Sequence, residues 1–163
     1  MKSPREHLVD WLRDAYAMEE QALKMMQGML SRLEHYPALE ARLRAHVDET
    51  QRQAERIREC LHQLGTDTSA IKTAVSSFVG TMQALSGIPA SDEVIKGVVF
   101  SHGFEQWEAA NYRVLIATAE RAGEPQIRSV LEGILREEEA MAAWFVENTP
   151  AILNTYLETG EKR

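Results

Sequence analysis

Between residues 91 and 122 the apolar residues recur every three or four positions, and in the middle of that run the repeat lands on acids. The stripe passes through Val94 and Val98 and resumes at Tyr112, Leu115 and Ala119, the spacing of a helix with one buried face. Carried through the gap, the same spacing falls on Ser101/His102, Glu105 and Glu108, within the stretch Phe104-Glu105-Gln106-Trp107-Glu108-Ala109-Ala110-Asn111-Tyr112. Two carboxylates one turn apart thus stand where a core-facing helix normally places aliphatics. Burying a carboxylate is costly unless it is paired, protonated or bound to a metal. A chain with this pattern needs other helices to supply the remaining walls of a polar site.

The rest of the sequence supplies them. With 9 Gly and 5 Pro in 163 residues, there is little material for strands and tight turns, and the class is all-α in one domain, 1–163. A first helix, about 4–34, opens on Ser3-Pro4, a capping residue before a proline. Its stripe runs Leu8, Leu12, Ala15, Glu19, Ala22/Leu23 and Met26, so Glu19 takes a core slot. His35-Tyr36-Pro37 interrupts it. A second helix, about 38–64, carries Leu39, Leu43, His46, Thr50 beside Glu49, Gln53, Ile57 and Cys60/Leu61, and stops at Gly65. The middle of this stripe is polar at His46, Glu49 and Gln53.

Ile71, Phe78, Met82 and Leu85 mark a short amphipathic helix over about 70–86. A helix of about 27 residues is about 40 Å long, and a connection of this length can run back along it. That predicts a crossover between the second and third long helices. The third helix covers 91–122 from Ser91-Asp92-Glu93, and the fourth 125–148 with Ile127, Leu131, Ile134/Leu135, Glu138, Met141 and Phe145. In Glu137-Glu138-Glu139 only Glu138 falls on the inward face. A last short helix, 150–158, follows Thr149-Pro150.

If the second and third helices are parallel, Glu19, Glu49, Glu105, Glu108 and Glu138 share one level. Five carboxylates cannot all stay ionised there without counter-charge, and two divalent cations would neutralise most of it. Oxygen-rich coordination suits iron, manganese, magnesium or calcium better than zinc or copper.

Several stretches carry a family resemblance: Asp10-Trp11-Leu12-Arg13-Asp14-Ala15 with Ala17-Met18-Glu19, His46 with Glu49-Thr50 and Gln53, Pro89-Ala90-Ser91-Asp92-Glu93, Phe104-Glu105-Gln106-Trp107-Glu108, and Leu135-Arg136-Glu137-Glu138. The chain resembles the YciE/YciF family of bacterial stress proteins, closest to YciE, within the ferritin-like superfamily. The resemblance implies a ferritin-like four-helix bundle, a homodimer, a di-iron or di-manganese site with two ions per chain, and a role in stress response. The ligands would be Glu19, Glu49, Glu105, Glu108 and Glu138. Redox-active members of the superfamily carry Glu-x-x-His on two helices, whereas here Arg52 follows Glu49 and Met141 follows Glu138 at that spacing. His46 and His102, three residues before Glu49 and Glu105, are candidates to replace those histidines or to support the ligands, as are Gln53 and Tyr112. Two functions remain open. One is a metal protein that handles metal, oxygen or peroxide; the other is a non-catalytic structural or interaction protein.

The totals exclude other classes. A net charge of −7 and a pI near 5.3 disfavour nucleic acid as a partner. No run of about 18 apolar residues predicts a membrane span, and the first residues lack the apolar centre of a signal peptide. With one cysteine, Cys60, no internal disulfide can form. The expected location is the cytoplasm, with Cys60 a small core residue.

Overall fold

The computed structural model describes residues 1–66 and 93–160. They form four helices: α1 (Pro4–Leu30), α2 (Pro37–Gln63), α3 (Glu93–Ala122) and α4 (Pro125–Gly160). Helix α1 starts as its sequence dictates. The Ser3 side chain accepts from the Glu6 amide while the Glu6 carboxylate accepts from the Ser3 amide, and Pro4 occupies the first turn, so the helix's free donors are satisfied reciprocally. Helices α2 and α3 end on Gly65 and Gly123, both at positive φ (73° and 72°), a conformation glycine adopts without a Cβ clash. Each is followed by an amide reaching back to the last turn: Thr66 to the Leu61 carbonyl at 3.1 Å and Glu124 to the Ala119 carbonyl at 3.0 Å, the pattern that satisfies helix-end carbonyls.

Contacts at the bundle ends fix the topology. Arg5 donates to the Leu64 carbonyl at 3.3 Å and pairs with Glu124 at 3.4 Å. The start of α1 therefore meets the ends of α2 and α3. At the opposite end, Arg32 pairs with Glu93 at 2.6 Å. So α2 and α3 are parallel to one another and both are antiparallel to α1. Leu64 and Glu93 therefore lie at opposite ends of the bundle, the placement of helix ends that a crossover requires. Helix α1 packs on α2 and α3; α4 packs closely on α3 and less closely on α2.

Each helix brackets its polar residues with apolar turns. Leu8, Leu12 and Met26 on α1, Leu43, Ile57 and Leu61 on α2, Leu115 on α3 and Leu131 and Phe145 on α4 are all buried. Full burial of one such side chain contributes about 1.5–3 kcal/mol, which is what drives the polar level into the interior along with its neighbours.

Two helix limits differ from the sequence expectation. Helix α1 stops at Leu30 and not near residue 34. The chain turns at Ser31, and Leu33 folds back into the core with its carbonyl accepting from the Tyr36 amide at 2.8 Å. The fourth helix and the short helix over 150–158 are one continuous element, with Pro150 inside it. Proline removes one backbone donor and crowds the preceding turn. Here Asn148 and Thr149 bond back to the Trp144 and Phe145 carbonyls at 2.9 and 2.6 Å, and the carbonyl that loses its partner belongs to the exposed Val146, where water can reach it. Pro150→Ala should therefore stabilise the protein by about 1–3 kcal/mol, read as a rise in urea midpoint; a fall would mean that the proline fits a bend the fold needs. The expected helix over 70–86 and the Ser91-Asp92 cap lie outside the described residues.

Candidate metal centre

The polar level is real and closed to solvent. Glu19 on α1, His46, Thr50 and Gln53 on α2, Glu105 and Glu108 on α3 and Glu138 on α4 are all buried, with Glu19, Gln53 and Glu138 at 0% exposure. At its centre is His46. Its Nδ1 lies 2.7 Å from Glu49 Oε2 and its Nε2 lies 3.1 Å from Glu105 Oε2 and 3.8 Å from Glu138 Oε2. One donor atom each from His46, Glu105 and Glu138 falls within 4.8 Å of the others. Three helices meet in that group.

The remaining acids are tied to the same level. The Tyr112 hydroxyl, one turn beyond Glu108, donates to Glu19 Oε1. The Gln53 amide donates to Glu138 Oε1 and, at 2.9 Å, to Glu137 Oε2. Burial, followed by the charges of Glu138, Glu19 and Glu105, holds Glu108 well above the ordinary carboxylate range. Burial, then Glu19 and Glu105, does the same to Glu138. Burial pushes Glu19 up to about 8, against the opposing pull of Tyr112 and His46. Burial alone would discharge His46, but its hydrogen bonds to Glu105 and Glu49 win and raise it to about 10. Without metal, protons are thus favoured on Glu19, Glu108 and Glu138, and His46 is a doubly donating imidazolium bonded to Glu49 and Glu105.

Glu49 does not take the core slot given to it. Its side chain is 26% exposed and bonds outward to Arg42 at 3.2 Å as well as inward to His46, and these contacts lower its pKa, the His46 bond most. Facing the interior one position on is Thr50, with a buried hydroxyl that has no partner. His102 is half-buried, its ring 6.2 Å from Phe145 and its Nε2 unpartnered; it is outside the converging group. Glu137, off the inward face by spacing, reaches across to Gln53 and Arg56 on α2. The α2 stripe itself carried the first signal, since His46, Thr50, Gln53 and Ile57 follow steps of four, three and four that leave Glu49 off the line. Nothing in the sequence marked Glu137.

The donor set fits a metal ion on a specific observation: Glu19 Oε2, Glu108 Oε1 and Glu138 Oε2 are buried oxygens with no hydrogen-bond partner. Buried polar atoms are nearly always satisfied, and three unsatisfied carboxylate oxygens at one level are what a cation would satisfy. Carboxylates with one imidazole suit iron or manganese.

Fold and site together define a ferritin-like helical bundle with a buried carboxylate cluster. A structure from Xanthomonas campestris pv. campestris is 40% identical, matching 97% of this chain and 98% of its own, with a TM-score of 0.81. Residues 3–158 match the family model described as Domain of unknown function (DUF892), and the chain belongs to that family, of the YciE/YciF type. The Escherichia coli stress protein YciF superposes with a TM-score of 0.72 at 20% identity, over 94% of this chain and 99% of its own. A ferritin-like, diiron-carboxylate protein from Bacillus anthracis does so with a TM-score of 0.71 at 14% identity, over 90% and 98%. These last two share the fold.

Proposed function

We propose that the protein is a metal-binding member of the ferritin-like fold, holding iron or manganese in the cluster and handling that metal, or oxygen or peroxide at it. The observation that carries this reading is the set of unpartnered buried oxygens on Glu19, Glu108 and Glu138 beside the His46–Glu105–Glu138 group. A bound metal would supply Lewis acidity and, if it cycles, electrons. The chain's own residues do the rest. His46 presents Nε2 to the cluster while its Nδ1–H donates to Glu49, an arrangement that fixes the ring and raises its basicity. Glu49 is thereby a positioning residue, not a direct ligand. Tyr112 holds one oxygen of Glu19 and leaves the other free, and Gln53 does the same for Glu138. The apolar turns on either side keep bulk water from the site. Two ions per chain would balance the acids. Cytoplasmic residence, a stress role and a homodimer belong to the same reading; a groove between α1 and α3 lined by Trp11, Trp107 and Val114 suits a subunit contact.

One observation favours a second reading. His46, charged and bonded to Glu49 and Glu105, offsets part of the acidity without any ion, as a purely structural protein would need. Elemental analysis of protein purified without added metal separates the two. The metal reading expects iron or manganese at one to two equivalents per chain, lost in Glu105→Ala combined with Glu138→Ala. Metal-free protein that also refuses added Fe(II) and Mn(II) would leave the structural reading.

A further inference from the structure

The α2–α4 seam holds a second arrangement of oxygens, outside the buried group. Glu137 Oε2 and Glu138 Oε1, on adjacent residues of α4, both point at one nitrogen of α2, the Gln53 amide. Gln53 is fully buried, yet its Oε1 has no partner. Rotation of its terminal amide exchanges nitrogen for oxygen, which would set the Gln53 oxygen beside the two carboxylate oxygens that now accept from its nitrogen and leave three oxygens for a cation to bridge. That is a set a hard divalent ion takes. Glu138 looks both ways: Oε1 faces this point, and Oε2 lies 3.8 Å from His46 Nε2 in the inner group. Glu137 is 34% exposed, so the arrangement opens to solvent on one side and to the buried cluster on the other. The seam is also where the bundle's neighbouring helices pack least closely.

Resting on the metal reading above, we propose that Glu137, Gln53 and Glu138 form an outer site that captures a divalent cation on its way to the buried cluster, and that Arg56 competes with the cation for it. Arg56 Nη2 pairs with the same Glu137 oxygen that the Gln53 amide uses. The guanidinium lies along α4 at Gly133, where a Cβ would stand 3.6 Å from Arg56 Nη1. An ordinary exposed ion pair contributes little to stability and leaves the free Gln53 oxygen unexplained. A competing counter-ion over a capture site accounts for both. Arg42 on Glu49 is the comparable pair on the other side of His46, but there the imidazole, not an amide with a free oxygen, fills the path inward.

The test is stopped-flow uptake of Co(II) by metal-free protein, followed by its visible absorption, with equilibrium titration alongside. Arg56→Gln should speed uptake and Glu137→Gln should slow it, each on the order of tenfold at low salt and less at high salt. The stoichiometry and affinity of the inner cluster should stay as in wild type, and Arg42→Gln should match wild type in rate. If the pair is only structural, both seam variants shift the melting temperature and neither shifts the rate, which overturns the capture site. A rate change in Arg42→Gln alone would overturn it too, by placing entry at Glu49. Wild type that fills with Co(II) at rates the seam variants share sinks this proposal alone; wild type that takes up none of Co(II), Fe(II) and Mn(II) removes the metal reading with it.

Discussion

Stripped of metal with a chelator, the protein should lose stability as pH rises from about 5 to about 8.5, and metal should flatten or reverse that slope. Glu19 has its folded pKa raised from 4.5 to about 8, and Glu108 and Glu138 are raised in the same sense. A group whose pKa is higher in the folded state contributes stability that is complete below the unfolded value and disappears as pH passes the folded one. The imidazole of His46, raised from 6.5 to about 10, extends the decline upward. Below the window the sign turns over. Glu49, with its pKa lowered by His46, contributes stability that is lost as pH falls. For one carboxylate the linkage is several kcal/mol, and the melting midpoint of metal-free protein should drop by roughly 10 °C or more across the window. Bound metal requires deprotonated carboxylates, so its contribution grows with pH. Thermal melts from pH 5 to 8.5, with and without Mn(II), test both halves. A metal-free midpoint that is level or climbs with pH would show that these acids are ionised at no penalty.

Replacing His46 by leucine should destabilise the metal-free protein by about 3–5 kcal/mol at pH 7. Removing one partner of a buried ion pair leaves the other charge uncompensated, and that is the range such changes show. Here the abandoned partner is Glu105, bonded to His46 Nε2 at 3.1 Å and buried at 4% exposure. Adding Glu105→Gln to the variant removes that partner's charge and should recover part of the loss. Urea unfolding measures both. A loss under about 1 kcal/mol, the value of an exposed pair, would mean that the cluster is already neutral and that His46 only fills space.

Much of the bundle was legible because burial leaves a period. Leu8, Leu12 and Glu19, or Ile127, Leu131 and Glu138, lie on one face whatever they pack against, and an acid on that face is visible from spacing alone. The crossover followed from arithmetic on lengths, since the acids of α2 and α3 align only if those helices are parallel. What spacing handles poorly is a helix surface at the edge of the core. Glu49 and Thr50 are adjacent, and a shift of one position decides which enters; the structure seats Thr50 and leaves Glu49 on the rim with Arg42. Contacts between helices distant in sequence leave no period at all, which is why Glu137 gave no sign of reaching Gln53 and Arg56. Pro150 misled for a different reason. The rule that proline ends a helix weighs one lost hydrogen bond, whereas α4 has side chains two and one residues earlier that bond to the carbonyls of the preceding turn.

Cys60 sits at 1% exposure within the apolar packing of α2, and burial pushes its thiol up to about 11. Nucleophilic attack needs the thiolate, so in the closed bundle this sulfur is shielded both sterically and by protonation. The sole cysteine of the chain thus becomes a built-in clock for breathing of the helices: an alkylating reagent can mark it only as often as the helices part.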